Sequence, residues 1–240
     1  MRQRSLYLAG SKKYGSLFGR LVFATLVFTI GNVAAQSKFI ANKAGELRSG
    51  TGIGRVDETI YAPNIRFPLE SGPAYANSQV YSIGGYWSHS SNYAFPWWDN
   101  FCETRGWVTP MCPSGKGHQG QDIRPADKIK GKHWAVAVES GQVVYISPKP
   151  GYVVRIRGTV SGNLYNYLHM EMRRLTVKQG DNVSEGQRLG LVSNDFGGTK
   201  TSVHLHFEIL QAQKGKSGVT HVSPYTSLVS AYKKLEGAKL

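Results

Sequence analysis

The stretch SVHLHFEIL, residues 202–210, looks like a buried β-strand that carries two histidines. Its remaining residues are mostly apolar, which is typical of a strand in a protein core. Alternate side chains of a strand point to the same face, so His204, His206 and Glu208 share one face. Buried imidazole nitrogens need partners. The pattern therefore predicts a polar site that is built into an apolar strand.

The chain around this strand has the same character. After residue 133, short apolar runs alternate with glycine turns. A helical face is indicated only in the tail, where Leu228, Val229, Tyr232 and Leu235 lie at helical spacing. We therefore expect an all-β fold, an open β-sandwich or barrel-like core of short antiparallel strands with glycine turns and few short helices. With 40% hydrophobic residues, the 240-residue chain can form such a core.

The N-terminus has the pattern of an export signal. Five basic residues precede the apolar run at residues 21–30, and small residues follow at 31–35. This run is about half the ~20 residues that a membrane-spanning helix needs. We expect a signal peptide at residues 1–35 and an exported protein, periplasmic or extracellular. An uncleaved membrane anchor is the alternative, because the basic region is longer than usual.

Export determines how the two cysteines are interpreted. Cys102 and Cys112 lie in one loop, FCETRGWVTPMCPSG, residues 101–115. In an oxidising compartment they favour a disulfide. Two free thiols are the alternative. Together the two cysteines are too few for a zinc site.

The charge of the chain is strongly positive. The formal net charge is +14, and without the five basic residues of the presequence the mature chain carries +9. Such a protein is attracted to anionic surfaces such as cell-wall polymers, lipid headgroups or nucleic acid. An extracellular location argues against nucleic acid. After cleavage we expect no stable membrane insertion.

Three further polar residues complete a candidate site. His118 and Asp122 lie four apart in a segment where Gly117 and Gly120 disfavour a helix, so an extended segment would place them on one face. His169 ends another predicted strand. Catalytic zinc takes three protein ligands and leaves one position open. His118, Asp122 and either His204 or His206 would supply three ligands. The two remaining histidines would then move protons or bind an oxyanion.

These motifs resemble a known family. In the order GHQGQDI, YLHM and HLHFEI, they are similar to the lysostaphin-type (LytM-like) zinc endopeptidases of bacterial cell walls. The resemblance covers roughly residues 63–228. It implies a duplicated-hybrid-motif type of fold and one Zn²⁺ per chain. It assigns the metal ligands to His118, Asp122 and His206, and the catalytic roles to His169 and His204.

The resemblance also implies an activity and a domain organisation. The enzyme is expected to hydrolyse peptide crosslinks or bridges of its partner, peptidoglycan, through a zinc-activated water. The polar, glycine-bearing sequence indicates a linker or pro-segment at residues 36–62, and the resemblance places the endopeptidase domain at 63–228, followed by a C-terminal tail at 229–240. A disulfide-bearing aromatic insertion near 86–116 is longer than the family core, which puts substrate preference in doubt.

Three alternatives come from other classes of protein. The segment VKQGDNVSEGQRLGLV, residues 177–192, looks like a biotinyl or lipoyl carrier domain, but the position of the acceptor lysine holds Glu171. A catalytically silent wall-binding or amidase-activating protein of the same fold is a second alternative. The third is a secreted protease that acts on proteins. His89, His133 and His221 fit no motif and are interpreted as ordinary residues.

Overall fold

The structure is a computed structural model that describes residues 38–78, 89–149, 151–197, 199–212 and 217–237. The predicted signal peptide at residues 1–35 lies outside these residues, and its cleavage stays a prediction. Twelve strands and one α-helix are described: β1 (Ala74–Ala76), β2 (Gln121–Pro125), β3 (Trp134–Val136), β4 (Gly141–Ser147), β5 (Val153–Gly158), β6 (Leu164–Leu168), β7 (Asn182–Val183), β8 (Arg188–Leu191), β9 (Asp195–Phe196), β10 (Thr199–Lys200), β11 (Leu205–Ala212), β12 (Val219–Val222) and α1 (Tyr225–Gly237). Two 3₁₀ turns, Ser90–Tyr93 and Met172–Arg174, complete the described elements.

Eight strands form one antiparallel sheet. Its order is β1-β2-β11-β6-β5-β4-β7, and β12 pairs with the second half of β11. Within the described residues the path runs from β1 to β7 without closing. The prediction of an open, all-β core of short antiparallel strands is confirmed.

A small second sheet packs on the large one. Strands β3 and β8 pair with each other, and Ala135 of β3 and Leu189 of β8 belong to the same hydrophobic cluster as buried side chains of β5, β6 and β11. The hydroxyl of Tyr167 on β6 accepts a hydrogen bond from the Val138 amide, at 2.9 Å, just after β3. The core therefore lies between two layers, as expected for a sandwich.

The tail forms the predicted helix. In α1, Leu228 and Tyr232 are buried, while Val229 and Leu235 pack partly buried against the same core. The Tyr232 hydroxyl also accepts a hydrogen bond from the Ala74 amide on β1, at 3.1 Å. This helical face is therefore the one that the sequence indicates.

None of the described helices is long and apolar enough to cross a membrane.

The segment ahead of the predicted domain, residues 38–62, packs on the folded body; we call it the strap. The Phe39 ring packs against those of Trp97 and Tyr232, with centroids 4.9 and 4.7 Å away. The Gly45 amide donates to the carboxylate of Asp99 at 2.8 Å. Residues 38–62 are therefore part of the fold described here, and their removal as a pro-segment stays a prediction.

The aromatic insertion combines packing with exposure. Trp97 is fully buried and donates through Nε1 to the Ala74 carbonyl at 2.8 Å, and Phe101 is buried beside the cysteines. Cys102 and Cys112 form the predicted disulfide. Trp107, within the loop that this disulfide closes, is 53% exposed. Trp97 and Phe101 therefore pack in the interior, whereas the side chain of Trp107 stays largely accessible to solvent.

Candidate metal centre and cleft

Strand β11 brings the predicted site residues together because it pairs with β2 on one side and β6 on the other. His206 lies opposite Asp122 of β2 and opposite Leu168 of β6. His169 directly follows β6, and His118 lies three residues before β2. The ends of three neighbouring strands therefore carry side chains that are far apart in the sequence.

His118, Asp122 and His206 form a buried group with the composition of a metal site. Their candidate ligand atoms all lie within 4.8 Å of one another. Oδ1 of Asp122 is 3.3 Å from Nε2 of His118 and 2.9 Å from Nδ1 of His206. The other ring nitrogen of His118 contacts the Asn100 carbonyl at 2.8 Å, which directs Nε2 into the group.

The Asp122 carboxylate has one oxygen that the protein does not satisfy. Oδ2 is buried and has no hydrogen-bond partner among the described residues. Burial opposes ionisation, but His118 and His204 outweigh it and hold the pKa of Asp122 well below its usual range. A buried carboxylate with an unsatisfied oxygen between imidazoles fits a bound cation. Two histidines and one carboxylate are a ligand set that zinc accepts.

His169 and His204 form a second pair beside this group. Their ring centroids are 4.5 Å apart, and Nε2 of His204 is 3.4 Å from Oδ1 of Asp122. Each Nδ1 is anchored by a backbone carbonyl, that of Asp195 for His169 at 2.9 Å and that of Ser202 for His204 at 2.8 Å. Both rings are therefore oriented by their Nδ1 atoms, which leaves each Nε2 free of these anchors.

His169 has an unusual backbone and a shifted pKa. Its φ angle is 63°, in the left-handed region that non-glycine residues seldom adopt. Burial, together with the neighbouring His204 and His206, lowers the pKa of His169 well below its usual value. Such strain persists where the surrounding structure holds a residue in place. A neutral imidazole in this position can accept a proton.

A polar network behind His206 was not predicted as a unit. Nε2 of His206 contacts Oε1 of Glu208 at 3.0 Å, and the other Glu208 oxygen contacts Asn166 and His221. Burial opposes the charged form of His206, but its bonds to Asp122 and Glu208 raise its pKa to about 9. Burial likewise opposes ionisation of Glu208, yet His206 and His221 lower its pKa. His221, interpreted as ordinary from the sequence, belongs to this network.

The two other histidines without a motif lie outside the site. His133 pairs with Asp127 at 2.8 Å, and Nδ1 of His89 accepts a hydrogen bond from the Ser91 amide at the start of a 3₁₀ turn. Strand parity predicted the shared face of His204, His206 and Glu208. The contact to His221 depends on the pairing of β11 with β12, which strand parity alone does not indicate.

The two histidine groups line a cleft of about 410 Å³. The loop closed by the Cys102–Cys112 disulfide, called the disulfide loop below, contributes Arg105 and Trp107 to the wall of this cleft. The β9–β10 hairpin contributes Phe196, whose ring centroid lies 5.4 Å from that of His169. A cleft of this size accommodates a small ligand or a short peptide. The candidate metal ligands are therefore reachable by a substrate.

Comparison with known proteins is consistent with this geometry. Residues 116–219 match the model of peptidase family M23. The matched segment is a little less than half of the chain. The predicted relationship to lysostaphin-type (LytM-like) peptidases is confirmed, and with it the assignment to a family of peptidases. The matched M23 segment includes all five predicted site residues, whose individual roles stay predictions.

Several solved structures are similar to part of this chain. A protein from Ruminococcus gnavus described as a LytM glycyl-glycine endopeptidase is 27% identical over 48% of this chain and 47% of its own length, with a TM-score of 0.42. The catalytic domain of lysostaphin from Staphylococcus simulans is 23% identical over 55% of this chain and 90% of its own, with a TM-score of 0.41. A mutant of the catalytic domain of EnpA from Enterococcus faecalis is 22% identical over 66% and 95%, with a TM-score of 0.40. The chain thus spans about half the length of the Ruminococcus protein.

Proposed function

We propose that the chain is a zinc-dependent endopeptidase that hydrolyses peptide crosslinks or bridges of peptidoglycan in the cell envelope. The observation that carries the proposal is the buried group of His118, Asp122 and His206 beside the His169–His204 pair, at the wall of an accessible cleft. The match of residues 116–219 to the model of peptidase family M23 supports it.

His118, Asp122 and His206 would hold one zinc ion per chain. Nε2 of His118, the carboxylate of Asp122 and Nδ1 of His206 converge, so these are the ligand atoms that the geometry favours. When bound, zinc lowers the pKa of a water and polarises a carbonyl group. Glu208 would keep Nε2 of His206 protonated and so fix its ring orientation.

The other two histidines would move protons and bind charge. His169 is neutral because of its lowered pKa, and its Nδ1 anchor leaves Nε2 to accept a proton from the attacking water. His204 would hydrogen-bond the oxyanion that develops on the scissile carbonyl. One of the pair would then pass the proton to the leaving amine, as the family resemblance implies.

The charge of the mature chain fits the proposed substrate. A net charge of +9 attracts the protein to an anionic cell wall and raises its local concentration there. Export through the predicted signal peptide would deliver the enzyme to that compartment. Peptidoglycan is therefore the partner that charge, family and predicted location favour together.

Digestion of isolated sacculi tests this function. Protein that begins at residue 36 should release shorter muropeptides, read by mass spectrometry, and a chelator should abolish the release. His206→Ala should lose both zinc and activity, whereas His204→Ala should keep its zinc and be slowed at least a hundredfold, as expected for the loss of a proton-transfer or oxyanion group. Undiminished digestion by His206→Ala, or none by the zinc-loaded parent, would rule the proposal out.

A further inference from the structure

The disulfide loop is attached directly to the segment that holds His118. The Cys102 amide donates to the His118 carbonyl at 3.0 Å, and the His118 amide donates to the Glu103 carbonyl at 2.9 Å. A side chain at Gly117 would approach the Cys102 Cα at 2.8 Å, so the loop could not lie this close beside any larger residue. The loop is therefore a fixed wall of the cleft.

Arg105 is positioned on this wall by a buried carboxylate. Its Nη2 lies 3.0 Å from Oε2 of Glu103, whose side chain is 1% exposed, and its Nη1 donates to the Thr104 carbonyl at 2.9 Å. Glu103 is itself fixed by its backbone bond to His118. Because the guanidinium is already held, little side-chain freedom remains to be lost when a ligand binds.

Arg105 retains donors for a ligand. A guanidinium has five N–H groups, and the bonds to Glu103 and Thr104 use two of them among the described residues. The side chain is 16% exposed and lines the cleft. No other Lys or Arg occurs among the described residues that line it. The planar fork of such an arginine matches a carboxylate.

Trp107 extends the same wall. It is 53% exposed, and its carbonyl accepts a hydrogen bond from the Gly117 amide, next to His118. An exposed indole in a fixed loop offers an apolar face without a charge preference. Arg105 can therefore select a peptide by its negative charge, while Trp107 can pack against a peptide whether or not it carries that charge.

We propose that Arg105 and Trp107 form a subsite for a substrate peptide that carries a free carboxylate next to the scissile bond. This inference rests on the proposed function and deepens it by naming a substrate class. Crosslinked stem peptides with a free carboxylate would be preferred, whereas bridges of glycine alone offer nothing for Arg105 to bind.

Binding to two synthetic peptides tests the subsite. The peptides are crosslinked stem peptides that differ only in whether the carboxylate beside the crosslink amide is free or amidated. Their dissociation constants are measured by calorimetry on zinc-loaded His204→Ala protein, in which cleavage of the bound peptide should be slowed at least a hundredfold. We expect the free carboxylate to bind about tenfold or more tightly, the range for a charged hydrogen bond.

Variants of the loop separate this role from a structural one. Arg105→Gln should abolish the preference, and Arg105→Lys should retain part of it because lysine lacks the fork. Glu103→Gln combined with Arg105→Gln avoids an unpaired buried carboxylate and should also show no preference. Arg173→Gln, a matched loss of one exposed positive charge outside the cleft, should keep the full preference. Trp107→Ala should weaken both peptides equally.

The outcomes distinguish this inference from the proposed function. If the His204→Ala protein with an unchanged loop bound both peptides with equal affinity, weak or strong, the subsite would be overturned. A tenfold preference that survives in the double variant Glu103→Gln, Arg105→Gln would overturn it as well. Neither result depends on cleavage. The sacculus digest fails or succeeds independently, so a working enzyme without this subsite would be recognised as such.

Discussion

At the scale of single residues, Glu208 connects the candidate metal ligand His206 to the protein behind it. One carboxylate oxygen contacts Nε2 of His206 at 3.0 Å, and the other contacts Asn166 and His221. A partner of this kind fixes the tautomer of a ligating histidine and increases its basicity. Glu208 would therefore act on the metal through His206 without touching it.

Replacement of Glu208 by glutamine should weaken zinc binding. The expected loss of affinity is about 10- to 100-fold, because an amide accepts the proton of His206 less strongly than a carboxylate does. Competition with a chromophoric chelator measures the affinity directly. Glu185→Gln, an exposed position, serves as the control and should bind zinc as the parent does. Equal affinities of the two variants would show that Glu208 has no influence on the metal.

Gly120 permits the close approach of β2 and β11. A Cβ atom there would lie 2.3 Å from the Phe207 carbonyl oxygen and 2.9 Å from Nε2 of His206. Gly120→Ala should push the two strands apart, displace Asp122 and reduce both zinc affinity and thermal stability. Gly237→Ala adds the same methyl group where no atom lies within 4 Å, and it should melt close to the parent. A Gly120→Ala protein with parental zinc affinity would contradict the prediction.

At the scale of elements, the strap holds the aromatic insertion against helix α1. Besides Phe39, it provides the Thr51 carbonyl, which accepts a hydrogen bond from the Thr104 amide at 2.8 Å, and Arg55, which donates to the Met111 carbonyl at 3.1 Å. Both contacts reach the disulfide loop. Among the described residues that line the cleft, none belongs to the strap. The strap therefore supports the disulfide loop and does not block the cleft.

Phe39→Ala should destabilise the fold. Full truncation of a buried phenylalanine costs about 3–5 kcal/mol, and Phe39 is half-buried, so we expect a loss of about 2–3 kcal/mol in the free energy of unfolding. Urea denaturation measures it. Ile53→Ala, in the same segment but 76% exposed, should change stability by less than about 0.5 kcal/mol. A fully stable protein that begins at residue 63 would restore the interpretation of the strap as a removable pro-segment.

Local sequence patterns predicted the secondary-structure elements better than they predicted how those elements pack together. The period of Leu228, Val229, Tyr232 and Leu235 indicated α1, and parity placed His204 and His206 on one face. These signals are local, so the sequence contains them directly. The docking of the strap and the contact between His221 and Glu208 depend on which strands are neighbours, which is decided by the whole core. Family resemblance, and not spacing, distinguished His206 from His204.

At the scale of the whole molecule, the excess of basic residues should control attachment to the wall. Residues 36–240 carry a formal net charge of +9, and salt screens interactions between exposed charges over distances beyond about 10 Å at 0.1 M and about 3 Å at 1 M. Binding to isolated sacculi, measured by co-sedimentation with the zinc-loaded His204→Ala protein, should fall several-fold between 50 mM and 500 mM salt. Neutral chitin beads serve as the control. Salt-independent sedimentation would show that charge does not attract the protein to the wall.

The central position of β11 also has a consequence for the order of events during folding. His206 and Asp122 are 84 residues apart in the sequence and become neighbours through the pairing of β11 with β2. An unfolded chain has no preformed site. Pairings at such long range are among the slow steps of folding. Zinc uptake should therefore come late, as a sign that the middle of the sheet has assembled.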